Sequence, residues 1–299
     1  MYIPLSSIDL ILSALVAFVI AAITSTAGIS GAFLLLPYQV SILGIVGPAA
    51  SSTNLIYNVI AIPGGVYRYI RECRMDWQLA GIITAGTLPG VLAGTIIRII
   101  YLPDPVRFKF FVGLVLLVIG IPLFFRNHHH HAHKLHHRPD FHMSPGIVTD
   151  ARFTIARYEF TFDEEHYGLR PVTLFLMALA IGVIGGAYGV GGGAIISPVC
   201  IVVFGLPIYT VAGAALFGTF VTSIAGVVFY YLIAFRFETA ALLITPDWML
   251  GSMFGVGGFA GTYCGARMQK HLPERSIKTV LGILITALGL QYVAQFFLR

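Results

Sequence analysis

Two stretches of this 299-residue chain, Leu10 to Tyr67 and Pro171 to Phe235, contain no Asp, Glu, Lys, Arg or His. One spanning helix needs about 20 apolar residues, so each run is long enough for about three membrane segments, and a soluble globule is excluded. Composition agrees: 57% of residues are hydrophobic and 10% are charged, where soluble domains carry about 25% charge. Shorter charge-free runs at Trp77–Ile97, Phe110–Phe125, Trp248–Ala266 and Thr279–Leu298 bring the expectation to five apolar segments per half. The expected fold class is an all-α polytopic membrane protein of about 8–10 membrane segments.

Those segments repeat. Placing Pro37 on Pro198 sets an offset of 161, which also pairs Gly28 with Gly189, Gly31 with Gly192, Gly44 with Gly205, Leu55 with Leu216 and Tyr69 with Tyr230. After a slip in a loop the offset becomes 171, pairing Asp76-Trp77 with Asp247-Trp248, Gly86 with Gly257, Gly90 with Gly261 and Gly94 with Gly265. Gly113 and Gly120 fall on Gly282 and Gly289 at offset 169. The period is too long for a solenoid and matches tandem duplication of one bundle, as in many secondary transporters. The expected organisation is a first membrane repeat over 1–125, a His-rich linker over 126–170 and a second membrane repeat over 171–299.

Glycine clusters stand at corresponding places in both copies: Gly185-Gly186-Ala187-Tyr188-Gly189-Val190-Gly191-Gly192-Gly193, and the weaker Ala27-Gly28-Ile29-Ser30-Gly31. No Gly-Lys-Ser/Thr follows and no soluble strand with a later acid frames them, so phosphate-loop and dinucleotide readings fail. The remaining reading is a break in a membrane helix. A break leaves free N–H groups at the start of the following half-helix, carrying about half a positive charge, and glycine lets a ligand approach the backbone. Two such breaks brought together suit a small anion, and the charge-free runs provide no acid or base for metal binding or proton relay. The short piece Ala32–Leu43 reads as a re-entrant element, and Ser51, Asn54 and Asn58 share one face of the next helix, with Thr53 beside them. The counterpart around Thr219, Thr222 and Ser223 is smaller and less polar. Glycines at i+4 in Gly86, Gly90, Gly94 and in Gly257, Gly261, Gly265 read as close helix packing.

Topology follows from the basic residues. With five crossings per half, Arg68, Arg71, Arg74, the linker, Arg267, Lys270, Arg275 and Lys278 share one side, against Arg98, Arg107, Lys109, Arg236 and Arg299 on the other. With four crossings the split is more even, so the count favours inverted repeats, a cytoplasmic linker and both termini outside. The N-terminus lacks a Lys/Arg n-region, so the first apolar run reads as a retained helix. Cys73, Cys200 and Cys264 show no Cys-x-x-Cys spacing. A net charge of +5 resides mostly in loops and is no nucleic-acid footprint. The linker holds a tract from His128 to His142 that could bind Zn²⁺ or Ni²⁺ or simply be solvated. Residues 151–162 partly alternate and predict a short strand pair. Asp76 and Asp247, beside Trp77 and Trp248, read as interfacial anchors at helix ends.

The duplicated Gly-x-Gly-Gly-Gly-x-x-x-x-Pro motif (Gly189–Pro198), the Ala/Thr-rich helix start, the Asp-Trp connector and the small-residue fourth helix resemble the TauE/SafE family of sulfite and organosulfonate exporters. The resemblance covers nearly the whole membrane part and omits the linker. It departs at Ser30-Gly31-Ala32, where the second copy has three glycines, and at Ala214-Ala215, where Thr-Ser is commoner in the family. It implies a cell-membrane, multi-pass carrier of the prokaryotic type, without cofactor, whose partners are the lipid bilayer and a small anionic substrate. Carried onto this chain, the substrate region comprises Gly28, Ser30, Gly31, Thr53 and Asn54, with Gly189, Gly191, Gly192, Gly193 and Thr219. The expected function is alternating-access export of sulfite or a sulfonate such as sulfoacetate or a taurine product. The alternative is a divalent-metal transporter using the His tract as sensor. An enzyme is not expected, because no nucleophile, base and orienting group fall together in the membrane part. Oligomeric state, coupling ion and transport direction are left open.

Overall fold

The computed structural model describes residues 7–45, 47–125, 149–154, 157–162, 165–236 and 244–298. The first half forms α1 (Ser7–Thr24), α2 (Ala32–Ser41), α3 (Pro48–Arg71), α4 (Trp77–Ile100) and α5 (Pro105–Phe125). The second half forms α6 (Pro171–Tyr188), α7 (Gly193–Val203), α8 (Ile208–Arg236), α9 (Trp248–Met268) and α10 (Glu274–Phe297). The membrane part is all-α. Among the described residues six helical stretches are long and apolar enough to cross a bilayer: Ser7–Ala27, Trp77–Ile100, Pro105–Pro122, Pro171–Tyr188, Ile208–Phe235 and Thr279–Phe297. Helices α3 and α9 have similar lengths but carry the chain's Ser/Asn-rich and Gly-rich faces, and they pack on each other in the interior.

Helix directions follow from the glycine contacts. Gly257, Gly261 and Gly265 of α9 meet Ala14, Phe18 and Ala22 of α1 in the same order, so these helices run parallel. Gly86, Gly90 and Gly94 of α4 meet Ala178, Leu179 and Val183 of α6, also in the same order. At each position a Cβ would collide with the facing helix, so the backbones touch as small-residue membrane interfaces do. Helix α3 runs parallel to α9, with Ile56, Ile60 and Ala61 against Gly251, Gly255 and Gly258. Helices α5 and α10 are antiparallel, Gly113 against Val293 and Gly120 against Thr286. Both α1 and α10 therefore have their chain termini at the end opposite the linker.

Asp76 and Asp247 serve as N-caps of α4 and α9: each carboxylate accepts the third N–H of its helix, from Leu79 and Leu250, at 2.9 Å. The linker carries three strands where the pattern predicted two. β1 (Thr149–Phe153), β2 (Tyr158–Phe162) and β3 (Glu165–Leu169) form an antiparallel sheet in chain order, β3 covering the edge of β2 that a strand pair leaves bare. Buried Tyr158 donates its hydroxyl proton to Asp76 Oδ2 and so fastens the sheet to the start of α4. At the same end Glu72 gathers Arg68, Arg74 and Lys270. Burial would raise its carboxyl, but Arg74, Arg68 and Lys270 outweigh burial and hold it below the usual range.

Candidate functional site: two helix breaks joined by one polar helix

Helix α1 ends in a 3-10 turn, Ser25–Ala27, closed by Gly28 at φ +69°; Gly28 N–H reaches Ser25 O at 3.1 Å and Ile29 N–H reaches Thr24 O at 3.2 Å. Helix α6 ends identically: Gly189 has φ +82°, its N–H reaches Gly186 O at 3.1 Å, and Val190 N–H reaches Gly185 O at 3.0 Å. This double closure by a left-handed glycine is the Schellman ending, and it satisfies carbonyls that lipid could not. Every residue of the second closure lies 161 positions after its partner in the first. After each break a short helix, α2 or α7, follows directly on its N-cap, Gly31 or Gly192, and contains Pro37 or Pro198.

The two breaks make crossed contacts. A Cβ on Gly28 would collide with Ala212 of α8, and a Cβ on Gly189 would collide with Ser51 of α3. Ala212 and Ser51 are themselves 161 apart. Helix α3 joins the breaks through two asparagines. Asn54 donates to Ala32 O at 2.9 Å and to Gly189 O at 3.1 Å, and accepts from Gln39 at 3.2 Å. Asn58 donates to Val190 O and to Ser223 Oγ, both at 3.0 Å, and accepts the Ser30 hydroxyl proton. Tyr188 donates to Phe33 O at 2.7 Å and Ser197 to Ala27 O at 2.6 Å, so each break also holds the chain of the other half. These polar side chains are all buried, and the Tyr188 ring also packs against Phe33.

Ser30, Gly31, Asn54, Gly189, Gly191, Gly192, Gly193 and Thr219 thus come together. Gly192 N–H donates to Thr222 Oγ1 at 3.2 Å, a Cβ on Gly191 would touch Ser223 and Thr219, and Gly193 lies against Ala215 and Thr219. Gly28 stands one step away, against Ala212. Thr53 is turned aside: its hydroxyl accepts Asp247 N–H at 2.8 Å. Asn58, Thr222 and Ser223 were not nominated by the sequence reading. Asn58 had a signal, since it lies on one face with Asn54; Thr222 and Ser223 gain their meaning only from the chain opposite.

Arg98, which the sequence counts among the basic residues on the side opposite the linker, lies inside the packed bundle, contrary to the expectation of a membrane part without acid or base. The guanidinium is fully buried near the end of α4, within a membrane-crossing segment. It donates to Ser51 Oγ at 3.1 Å, Gly47 O at 2.7 Å and Leu102 O, and lies 3.6 Å from the Phe108 ring centroid. Arg98 continues the Gly86, Gly90, Gly94 stripe at the next i+4 position, so it belongs to the packed face of α4. Among the described residues no group of three His, Cys, Asp or Glu could hold a metal ion. The tract His128–His142 lies outside the described residues.

A helical membrane bundle with two interrupted helices meeting at a buried polar face has the architecture of a membrane transporter. The chain belongs to the TauE/SafE family: the family model described as "Sulfite exporter TauE/SafE" matches residues 13–292. It is a multi-pass membrane transporter and not an enzyme. Among curated proteins it is similar to two from Bacillus subtilis (strain 168). It is 20% identical to probable membrane transporter protein YunE, over 82% of this chain and 81% of that protein. It is 22% identical to probable membrane transporter protein YjnA, over 92% of this chain and 96% of that protein. No solved structure matches this chain significantly.

Proposed function

We propose that the chain is an inverted-repeat secondary transporter that exports sulfite or a small organosulfonate by alternating access. The observation that carries the reading is the pair Asn54 and Asn58, which hold Ala32 and Ser30 of the first break and Gly189 and Val190 of the second on one helix face. Parallel pairing of α1 with α9 and of α6 with α4 supports inversion: the first helix of each half packs on the fourth of the other. In this reading each half contributes five segments, counting α2 and α7 as re-entrant pieces. The linker is cytoplasmic, since Arg68, Arg74 and Lys270 crowd that end.

The substrate site comprises Ser30, Gly31 and Asn54 with Gly189, Gly191, Gly192, Gly193 and Thr219, extended by Asn58, Thr222 and Ser223. Gly28 shapes its floor and Thr53 supports it from the α9 side. The starts of α2 and α7 present backbone N–H groups and helix-dipole charge to an oxyanion, and neutral hydroxyl and amide donors complete its shell. Rocking of one half against the other exchanges the Asn54 and Asn58 bonds between the two breaks and the anion.

The test is melting of the purified protein in detergent against sulfite, sulfate, thiosulfate, taurine, sulfoacetate, Zn²⁺ and Ni²⁺. A ligand at 100 times its Kd stabilises the folded state by about 2.7 kcal/mol. A shift with a sulfur anion, lost in Asn54→Leu, is the expected result. A shift with the metals alone would replace this reading with metal transport.

A further inference from the structure

Among the described residues two arginines are buried, and only one has its charge balanced. Arg74, 3% exposed, pairs with Glu72 and also donates to Gln269 Oε1 at 2.6 Å and Ala266 O at 2.9 Å. Arg98, 0% exposed, has only neutral acceptors: one serine hydroxyl and two backbone carbonyls. Among the described residues no carboxylate forms an ion pair with it; the ion pairs lie at Glu72, Asp104 and Glu159. Burying a cation without a counter-charge is among the costliest arrangements a protein can hold, and such groups within membrane segments mark ion and substrate paths.

Helix capping does not account for it. A cation in the last turn of α4 does complement the helix dipole, but it could do so from an exposed position without this desolvation. Nor does the repeat require a charge there. At the offset that superposes Gly86, Gly90 and Gly94 on Gly257, Gly261 and Gly265, the partner of Arg98 is Gln269, also fully buried. The same place in the second half is filled by a neutral amide.

The guanidinium also stands beside the second break. Its Nε donates to Ser51 Oγ, and Ser51 is the residue that a Cβ on Gly189 would strike. One hydroxyl therefore separates the uncompensated charge from the glycine that ends α6.

We propose that Arg98 is the specificity-determining cation of this transporter, drawing a small oxyanion of the sulfite or sulfonate class to the second break from the end where both chain termini lie. The inference rests on the anion-transport reading above. Through Ser51 the charge reaches the site in the closed arrangement; when the halves move, the anion replaces neutral acceptors as the guanidinium's partner and supplies the missing charge. Selectivity then scales with ligand charge, which neutral donors and glycine backbone cannot achieve to the same degree.

The experiment measures anion-dependent melting and proteoliposome efflux for wild type, R98Q and R98K at pH 8 with three probes: sulfite, largely a dianion, methanesulfonate, a monoanion, and taurine, a zwitterion. R98Q, which installs the residue of the other half, should weaken sulfite about tenfold or more, methanesulfonate less and taurine least, because a charged hydrogen bond is lost. R98K keeps the charge but not the planar fork and should preserve that order of affinities with a smaller loss. Equal responses in wild type and R98Q, or an equal loss for all three probes, would show a structural clamp and overturn the proposal. If R98Q fails to fold, R98K decides: retention of the charge-graded order upholds the role, and a uniform loss removes it. A wild type that responds to no anion overturns the transport reading itself, and this inference with it.

Discussion

The breaks after α1 and after α6 share a backbone and differ in chemistry. Both close on a left-handed glycine with the same pair of hydrogen bonds, and both start a short helix one loop later. Beyond that closure the first has Ser30, whose hydroxyl is spent on Asn58, where the second has Gly191 at φ +79°, without a side chain and packed against Thr219 and Ser223. The facing helices differ likewise: α3 offers Asn54 and Asn58, whereas the corresponding residues of α8 are Ala215 and Thr219. The two breaks share a geometry, which lipid enforces by penalising unpaired backbone, and differ in side chains, which lipid does not constrain in the same way. The first half supplies two asparagine side chains, the second glycine backbone with the smaller hydroxyls of Thr219, Thr222 and Ser223.

The comparison breaks most sharply at the closing glycines. Gly28→Val and Gly189→Val should each abolish folding or transport, since the new side chain meets Ala212 or Ser51 at a φ that L residues avoid. Gly44→Ala and Gly205→Ala test the alternative that any left-handed glycine matters as much. These have φ +69° and +67° but nothing within 4 Å of a Cβ, so a loss of only about 1–2 kcal/mol is expected in detergent melting.

Next in size is the pair Asn58 and Thr219, equivalent in sequence. Asn58→Leu severs Ser30, Val190 and Ser223 together and should cost about 1–3 kcal/mol with transport reduced at least tenfold. Thr219→Val removes one bond, to Ala215 O four residues back, and should leave stability within about 1 kcal/mol. Comparable losses in the two variants would mean that the asymmetry has no functional weight.

Exchange of the breaks sharpens the comparison further. Ser30→Gly makes the first break resemble the second and should cost about 1 kcal/mol, while shifting relative efflux of sulfite and sulfoacetate. An unchanged substrate preference would assign selectivity to the second break and its surroundings.

The smallest effect compares the two aspartate caps. Asp247→Ala should lose about 1 kcal/mol, an ordinary cap. Asp76→Ala should lose more, because the hydrogen bond from Tyr158 goes with the cap. Burial raises the Asp76 carboxyl above its ordinary value, despite hydrogen bonds from Leu79, Tyr158 and Gln78 that lower it. The folded chain thus holds that proton to higher pH than the unfolded one. Its contribution is full below the unfolded value and declines as pH rises through the raised one. Melting of Y158F against pH should show this decline extend to higher pH than in wild type, because the bond that lowers the folded value is gone.

Much of this was legible in the chain. Membrane helices follow from charge-free runs, because lipid admits little else, and the breaks follow from glycine clusters, because a left-handed ending inside a bilayer requires them. The paired Asp-Trp steps placed Asp76 and Asp247 at helix ends as interfacial anchors; that their carboxylates cap α4 and α9 came from the structure. Other features were not legible locally. Thr53 and Asn54 are neighbours on one polar helix start, yet Thr53 serves the entry to α9 and Asn54 joins the breaks; only the position of the facing chain separates them. The third linker strand lacked a clear alternating pattern of its own and depends on pairing with β2.

By itself, then, the sequence determined the solvent in which this protein folds, the repetition of its segments and the places where helices must stop, since these depend on hydrophobicity and φ at single residues. Tertiary structure alone decided which polar groups meet. Arg98 shows why: an arginine at the end of an apolar run looks like a solvated loop charge, and its burial depends on Gly47, Ser51 and Phe108 arriving from other elements. Whether a charge faces water or protein is a property of the packing around it, and no local pattern encodes that.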